Sequence, residues 1–153
     1  MEIHVTINGT EYLWHEPPGD ILLDVLRRHG FNSVKFGCGE GECGACTILL
    51  DGQSVRACLL VAGQVHGRQI VTAEGLGSVD HPHPIQQAFV DSGAVQCGFC
   101  TPGMVLSTKA LLDSEPEPDR DSIKEALDGN LCRCTGYVKI IDAVELAAER
   151  MKT

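Results

Sequence analysis

The sequence predicts an α+β chain in two parts, a small sheet carrying one helix and then a wholly helical half. Three observations lead there. Apolar residues alternate with a period of two near the start, and helical spacing takes over only after about residue 84. A stretch rich in Gly, His and Pro, from Gly75 to Pro84, breaks the periodicity as a linker or crossover does. The eight Cys, at positions 38, 43, 46, 58, 97, 100, 132 and 134, divide four and four across that stretch. The expected domains are residues 1–75 and 76–153.

Ile3, Val5 and Ile7 alternate with His4 and Thr6, Asn8-Gly9 supplies a turn, and Tyr12 and Trp14 resume beyond it, which predicts a β-hairpin. Asp20, after Pro17-Pro18-Gly19, is placed to cap a helix carrying Leu22, Leu23, Val25 and Leu26, with Gly30 as its stop. Strands are expected from Thr47 to Leu50, turned at Asp51-Gly52, then from Val55 to Val61 and from Gln69 to Thr72. Helices are expected at Ile85–Val90, Met104–Leu112, Ser122–Leu127 and Val138–Met151, with the acidic, Pro-bearing segment Ser114 to Asp121 as a solvated loop. His81 and His83, flanked by prolines, are expected to be loop residues and not metal ligands. A short echo, Phe99-Cys100-Thr101-Pro102-Gly103 against Arg133-Cys134-Thr135-Gly136-Tyr137, hints at two related helix pairs.

Composition narrows the function. The chain has 153 residues, 43% hydrophobic and 22% charged, as a globular protein does, and no run approaches the roughly 18 apolar residues of a membrane span. Its formal charge of -9 repels phosphate backbones, so nucleic acid is not an expected partner. The start, Met1-Glu2-Ile3-His4-Val5, lacks the basic and apolar regions of a secretory signal, so a cytoplasmic location without membrane association is expected. In that compartment thiols stay reduced, and eight Cys are read as metal ligands in preference to disulfides.

Cys38, Cys43, Cys46 and Cys58 have the spacing C-x4-C-x2-C, then eleven residues, then C, which is the plant-type arrangement for a 2Fe-2S cluster. Structural zinc more often uses two close pairs. Glycines at 37, 39, 41 and 44 let the backbone wrap an anionic object and aim N–H groups at it. Cys97, Cys100, Cys132 and Cys134 form a less specific set, for which structural zinc stays open on spacing alone. Pro102 suits a first helical turn and Thr135 a cap, so two helix N-termini are expected to face this second site.

The segments Gly37-Cys38-Gly39-Glu40-Gly41-Glu42-Cys43-Gly44-Ala45-Cys46-Thr47, Gln96-Cys97-Gly98-Phe99-Cys100-Thr101-Pro102-Gly103 and Gly129-Asn130-Leu131-Cys132-Arg133-Cys134-Thr135-Gly136-Tyr137 together resemble the small iron-sulphur subunit of the xanthine dehydrogenase (molybdenum hydroxylase) family. The resemblance spans essentially the whole chain and holds at all eight Cys. It implies an N-terminal β-grasp, plant-type ferredoxin-like domain and a C-terminal four-helix-bundle domain, each with a 2Fe-2S cluster. It also implies two partners, a large subunit with molybdopterin cytosine dinucleotide and a medium subunit with FAD, in a heterotrimer or a dimer of heterotrimers. Electrons would pass from molybdenum to the C-terminal cluster, the N-terminal cluster and FAD. Gln96, whose amide offers both donor and acceptor, and the backbone of Cys134 would lie against the molybdopterin; the alternative is that Gln96 satisfies a neighbouring backbone group.

No substrate, flavin or phosphate motif of the chain's own is present: there is no G-x-G-x-x-G after a strand, no P-loop and no Cys left over as a nucleophile. The resulting expectation is an electron-transfer subunit of a xanthine, purine or other N-heterocycle dehydrogenase, with no turnover by this chain alone. Related subunits serve enzymes acting on aldehydes, carbon monoxide or 4-hydroxybenzoyl-CoA, and a free-standing ferredoxin-like carrier or a structural zinc protein are the other classes.

Overall fold

A computed structural model describes residues 1–152. Five strands, one short helix and four longer helices run in the order β1 (Ile3–Ile7), β2 (Thr10–Trp14), α1 (Leu22–Arg28), β3 (Thr47–Leu50), β4 (Gln53–Arg56), β5 (Gln69–Val71), α2 (Pro84–Asp91), α3 (Thr101–Ser114), α4 (Arg120–Leu127) and α5 (Val138–Arg150). The sheet order is β2-β1-β5-β3-β4. β1 and β5 run parallel and the other neighbours antiparallel. Asn8-Gly9 and Asp51-Gly52 all take positive φ, so both hairpins close on the tight turns their twist favours. Among the described residues no helix is long and apolar enough to cross a membrane.

Two apolar cores form. One gathers Ile3, Val5, Ile7 and Trp14 with Leu22, Leu23, Val25 and Leu26 of α1 and Ile48, Leu50 and Ile70 of the sheet. The other gathers Ile85, Phe89, Met104, Val105, Ile123, Leu127, Ile140 and Val144 from the four later helices. Each includes or borders cysteines of the set in its own half. α3 also lies against β3 and β4, so β3 is buried along its whole length, covered on both sides.

The structure corrects three local expectations. Asp20 does not cap α1: its carboxylate takes Arg28 Nη2 at 2.6 Å, and the Leu22 N–H donates to the Leu60 carbonyl at 2.8 Å instead. The strand expected over Val55–Val61 ends at Arg56, where the chain turns through a 3-10 turn, Ala57–Leu59, that buries Ala57 and Cys58, and only Val61 makes a further bridge, to Ile21. Thr135 does not cap α5: the residue before that helix is Tyr137, at φ 71°, whose N–H donates to Thr135 Oγ1 at 3.2 Å, while the Thr135 hydroxyl turns to Cys132 Sγ.

Candidate iron-sulphur sites

The first set of cysteines sits on the loop between α1 and β3. Arg27 pins its beginning by donating Nη1 to the Val34 carbonyl at 2.8 Å, and the Lys35 N–H closes on the Ala45 carbonyl at 3.2 Å. Inside that neck the N–H groups of Glu40 and Cys43 point at Cys38 Sγ, at 3.3 and 3.4 Å, and the Ala45 N–H at Cys43 Sγ, at 3.5 Å. The Glu40 N–H, then the Cys43 N–H, lower the Cys38 thiol from its ordinary 9.0 to about 7, so it ionises readily. Gly37 is required because a Cβ there would come within 2.6 Å of Cys43 Sγ.

Cys46 and Cys58 form the inner side of this site. The Ala57 N–H donates to the Cys46 carbonyl at 3.2 Å, and the turn that follows brings the Cys58 thiol to Cys46. Both are buried, at 3% and 8% exposure. Burial pushes the Cys46 thiol up to about 11; the Cys58 N–H opposes that, and the Cys58 and Cys43 thiols add to it. A buried thiol held that high ionises only for a cation, and a bound metal supplies one.

The second set is drawn from the helical half. Cys100 is the residue before α3, with Pro102 in the first turn as expected, and the Thr101 N–H turns back to the Gly98 carbonyl. Cys97 and Cys134 bring their sulfurs to 3.5 Å. Burial and then Cys132 raise Cys100 to about 12. Burial also pushes Cys132 up, but the Thr135 hydroxyl, 3.1 Å away, and its N–H, at 3.4 Å, outweigh that and hold it below an ordinary thiol. The Cys132 N–H donates to Tyr137 Oη at 3.0 Å, which ties the loop to the start of α5. All four cysteines line one cavity of about 380 Å³, together with Phe99, Leu131, Arg133 and Tyr137. The four thiols around one cavity suit an anionic metal-sulfide group in the second set, and the N–H donors aimed at Cys38 and Cys43 suit one in the first.

A polar seam that carries no spacing signal in the sequence joins the two sites. The Leu131 N–H, one residue before Cys132, donates to the Cys43 carbonyl at 2.9 Å. Asn130, only 2% exposed, accepts from Ser107 Oγ at 2.7 Å and gives its Nδ2 to Gly44 O and Thr47 Oγ1, both at 3.3 Å. Arg56 reaches Thr47 Oγ1 at 3.0 Å and the Gly129 carbonyl at 2.8 Å. Gly44, at φ 71°, lies where a Cβ would overlap the Gly129 carbonyl and come within 2.6 Å of Asn130 Nδ2. Gln96 is exposed, and among the described residues its side chain makes no hydrogen bond. His83 serves as a helix cap, its Nδ1 accepting from the Ile85 N–H at 3.2 Å.

A ferredoxin-like loop on a sheet, joined through buried polar groups to a second four-thiol site among helices, defines an iron-sulphur protein with two centres. Residues 5–73 match the 2Fe-2S iron-sulfur cluster binding domain, and residues 72–145 match the [2Fe-2S] binding domain. The chain is 50% identical to the nicotinate dehydrogenase small FeS subunit of Eubacterium barkeri, over 98% of this chain and 96% of that one. It is 46% identical to the xanthine dehydrogenase iron-sulfur-binding subunit of Escherichia coli O157:H7, over 99% and 96%. The solved aldehyde oxidoreductase from Desulfovibrio gigas superposes with a TM-score of 0.96 at 42% identity, over 99% of this chain and 17% of that larger one. The chain therefore belongs to the 2Fe-2S iron-sulphur subunits of the xanthine dehydrogenase family. Its role is electron transfer through 2Fe-2S clusters within a molybdenum-containing oxidoreductase.

Proposed function

We propose that the chain is a two-step electron relay in a molybdenum hydroxylase acting on an N-heterocycle. The N-terminal domain, residues 1–75, is a β-grasp unit whose Cys38, Cys43, Cys46 and Cys58 hold one cluster. The C-terminal domain, residues 76–153, is a four-helix bundle whose Cys97, Cys100, Cys132 and Cys134 hold the other. When bound, each 2Fe-2S cluster supplies a one-electron acceptor. The protein's own contribution is to fix the thiolates, to supply N–H donors that favour added negative charge, and to hold the two sites together.

The bond from the Leu131 N–H to the Cys43 carbonyl supports a relay most directly, because it joins the residue beside one proposed ligand to the backbone of another. Exposed Phe99, Leu131 and Val138 near the second site favour a docked subunit over a free carrier, which would present a polar surface there. The proposed neighbour is the molybdopterin-bearing large subunit, with Gln96 and the Cys134 backbone toward the pterin. A medium FAD subunit takes the other side, in a cytoplasmic heterotrimer or dimer of heterotrimers. The names of the nicotinate and xanthine dehydrogenase relatives support the substrate class.

The test is co-expression with candidate large and medium subunits, followed by anaerobic addition of nicotinate or a purine. Bleaching of the cluster absorbance in a co-purifying complex is the expected result. A co-purifying complex that stays oxidised with every N-heterocycle offered, yet bleaches with an aldehyde, would move the substrate class, and a chain that purifies alone would contradict the docked subunit.

A further inference from the structure

Of the twelve Lys and Arg, seven pair with a carboxylate among the described residues: Arg28, Arg68, Lys109, Arg120, Lys124, Arg150 and Lys152. In a chain with 21 acids it is notable where the other five lie. Arg27, Lys35, Arg56, Arg133 and Lys139 all fall within or beside the segments that carry the cysteines. Two of them span from one half of the chain to the other. Arg56 leaves β4 two residues before Cys58 and donates to the carbonyl of Gly129, three residues before Cys132. Lys35, three residues before Cys38, extends Nζ to the carbonyl of Gly98, between Cys97 and Cys100, at 3.3 Å, and sits 5.2 Å from the centroid of the Phe99 ring.

Arg56 has a further peculiarity. Its Nε is buried and has no hydrogen-bond partner, although the other two guanidinium nitrogens are bonded. Gly129 is kept free of a side chain at the point where the guanidinium crosses it, since a Cβ there would overlap Nη2. A guanidinium held between neutral carbonyl and hydroxyl groups, with one buried N–H unanswered and no carboxylate, lacks its counter-charge.

We propose that Arg56 and Lys35 are shared counter-cations of the two clusters, placed at the seam so that each raises the reduction potential of both. This rests on the two-cluster reading above. A thiolate-ligated 2Fe-2S centre is anionic and gains a further negative charge on reduction, so a nearby fixed cation stabilises the reduced form more than the oxidised one. Placed between the sites, a cation acts on both centres. Its attraction also offsets, for an electron arriving at one cluster, the repulsion from an electron already on the other.

The test is an EPR-monitored redox titration of the purified holo-protein with Arg56→Gln, Arg56→Lys and Lys35→Gln. Iron and sulfide content, measured first, reports on the two-cluster reading independently of the potentials. Arg56→Gln is expected to lower both midpoints by about a tenfold change in the reduced-to-oxidised ratio, which is ~59 mV for one electron. Arg56→Lys, which keeps the charge but loses the fork, should stay closer to wild type than Arg56→Gln does. Lys35→Gln should shift both centres the same way by less. If Arg56→Gln fails to load iron, Lys35→Gln decides. Wild-type potentials in a fully loaded neutral variant would overturn the proposal, leaving these side chains as braces between the two halves.

Discussion

At the scale of single residues, Gly44 shows how closely the two halves are fitted. Its left-handed φ alone costs a residue with a Cβ about 1 kcal/mol, and crowding against the Gly129 carbonyl and Asn130 adds roughly 1–3 kcal/mol. Gly44→Ala is therefore expected to cost about 3 kcal/mol in thermal or chemical unfolding and to reduce iron loading. An unfolding midpoint equal to wild type would show that the seam yields without cost. The residues that bear the chemistry were the most legible in the sequence, because C-x4-C-x2-C is a local spacing with few physical readings. Arg56, Asn130 and Thr47 were not legible. Their partners lie far away along the chain, and a polar side chain that finds its acceptor through tertiary contact leaves no periodic trace.

At the scale of elements, α2 offers a test with a pH sign. His83 caps it through Nδ1, an acceptor only while the ring lacks a proton there. Burial, and then the positive charge of Lys109, hold His83 below its ordinary 6.5, with Asp113 opposing them. A histidine whose folded pKa is depressed contributes stability that is full above about 6.5 and is lost as pH falls from there through the folded value. His83→Asn, which keeps a capping acceptor, should flatten the pH dependence of stability below 6.5, while His83→Ala should cost about 1 kcal/mol at neutral pH. An acid-side slope that persists unchanged in the Asn variant would place the titrating group elsewhere.

β3 is also instructive at this scale. The sequence predicts one helix laid across the sheet, whereas α3 also lies against β3 and β4. A signal was available: Thr47-Ile48-Leu49-Leu50 does not alternate, as a strand buried on both faces does not, and α3 buries residues almost all round. Capping was less legible than burial. Backbone carbonyls such as that of Leu60 can take the place of a side-chain cap, and nothing in the local sequence announces them. Because each set of cysteines adjoins its own core, Cys132→Ser is expected to remove the second cluster's EPR signal and retain the first. Loss of both signals would mean that the seam, and not either core, governs assembly.

At the scale of the whole molecule, the proposed partners would meet the chain at its exposed residues. Gln96 stands exposed beside Cys97, so Gln96→Ala should leave iron content and potentials unchanged while slowing reduction of the clusters by substrate in the assembled enzyme. Unaltered rapid-mixing kinetics with full molybdenum occupancy would make Gln96 a bystander. The division into a sheet half and a helical half was legible from the change in periodicity near residue 84. The way the halves join was not, since it depends on glycines that permit close backbone approach and on one buried asparagine.

In the proposed assignment one chain holds two 2Fe-2S clusters on two separate sets of four cysteines. Anaerobic purification with iron, zinc and acid-labile sulfide analysis, followed by EPR spin integration after full reduction, tests it most directly. The expected result is about four irons and about four sulfides per chain, two of each per centre, with two distinguishable spin signals. Stoichiometric zinc, or iron and sulfide near half that content with a single signal in the wild-type protein, would contradict it.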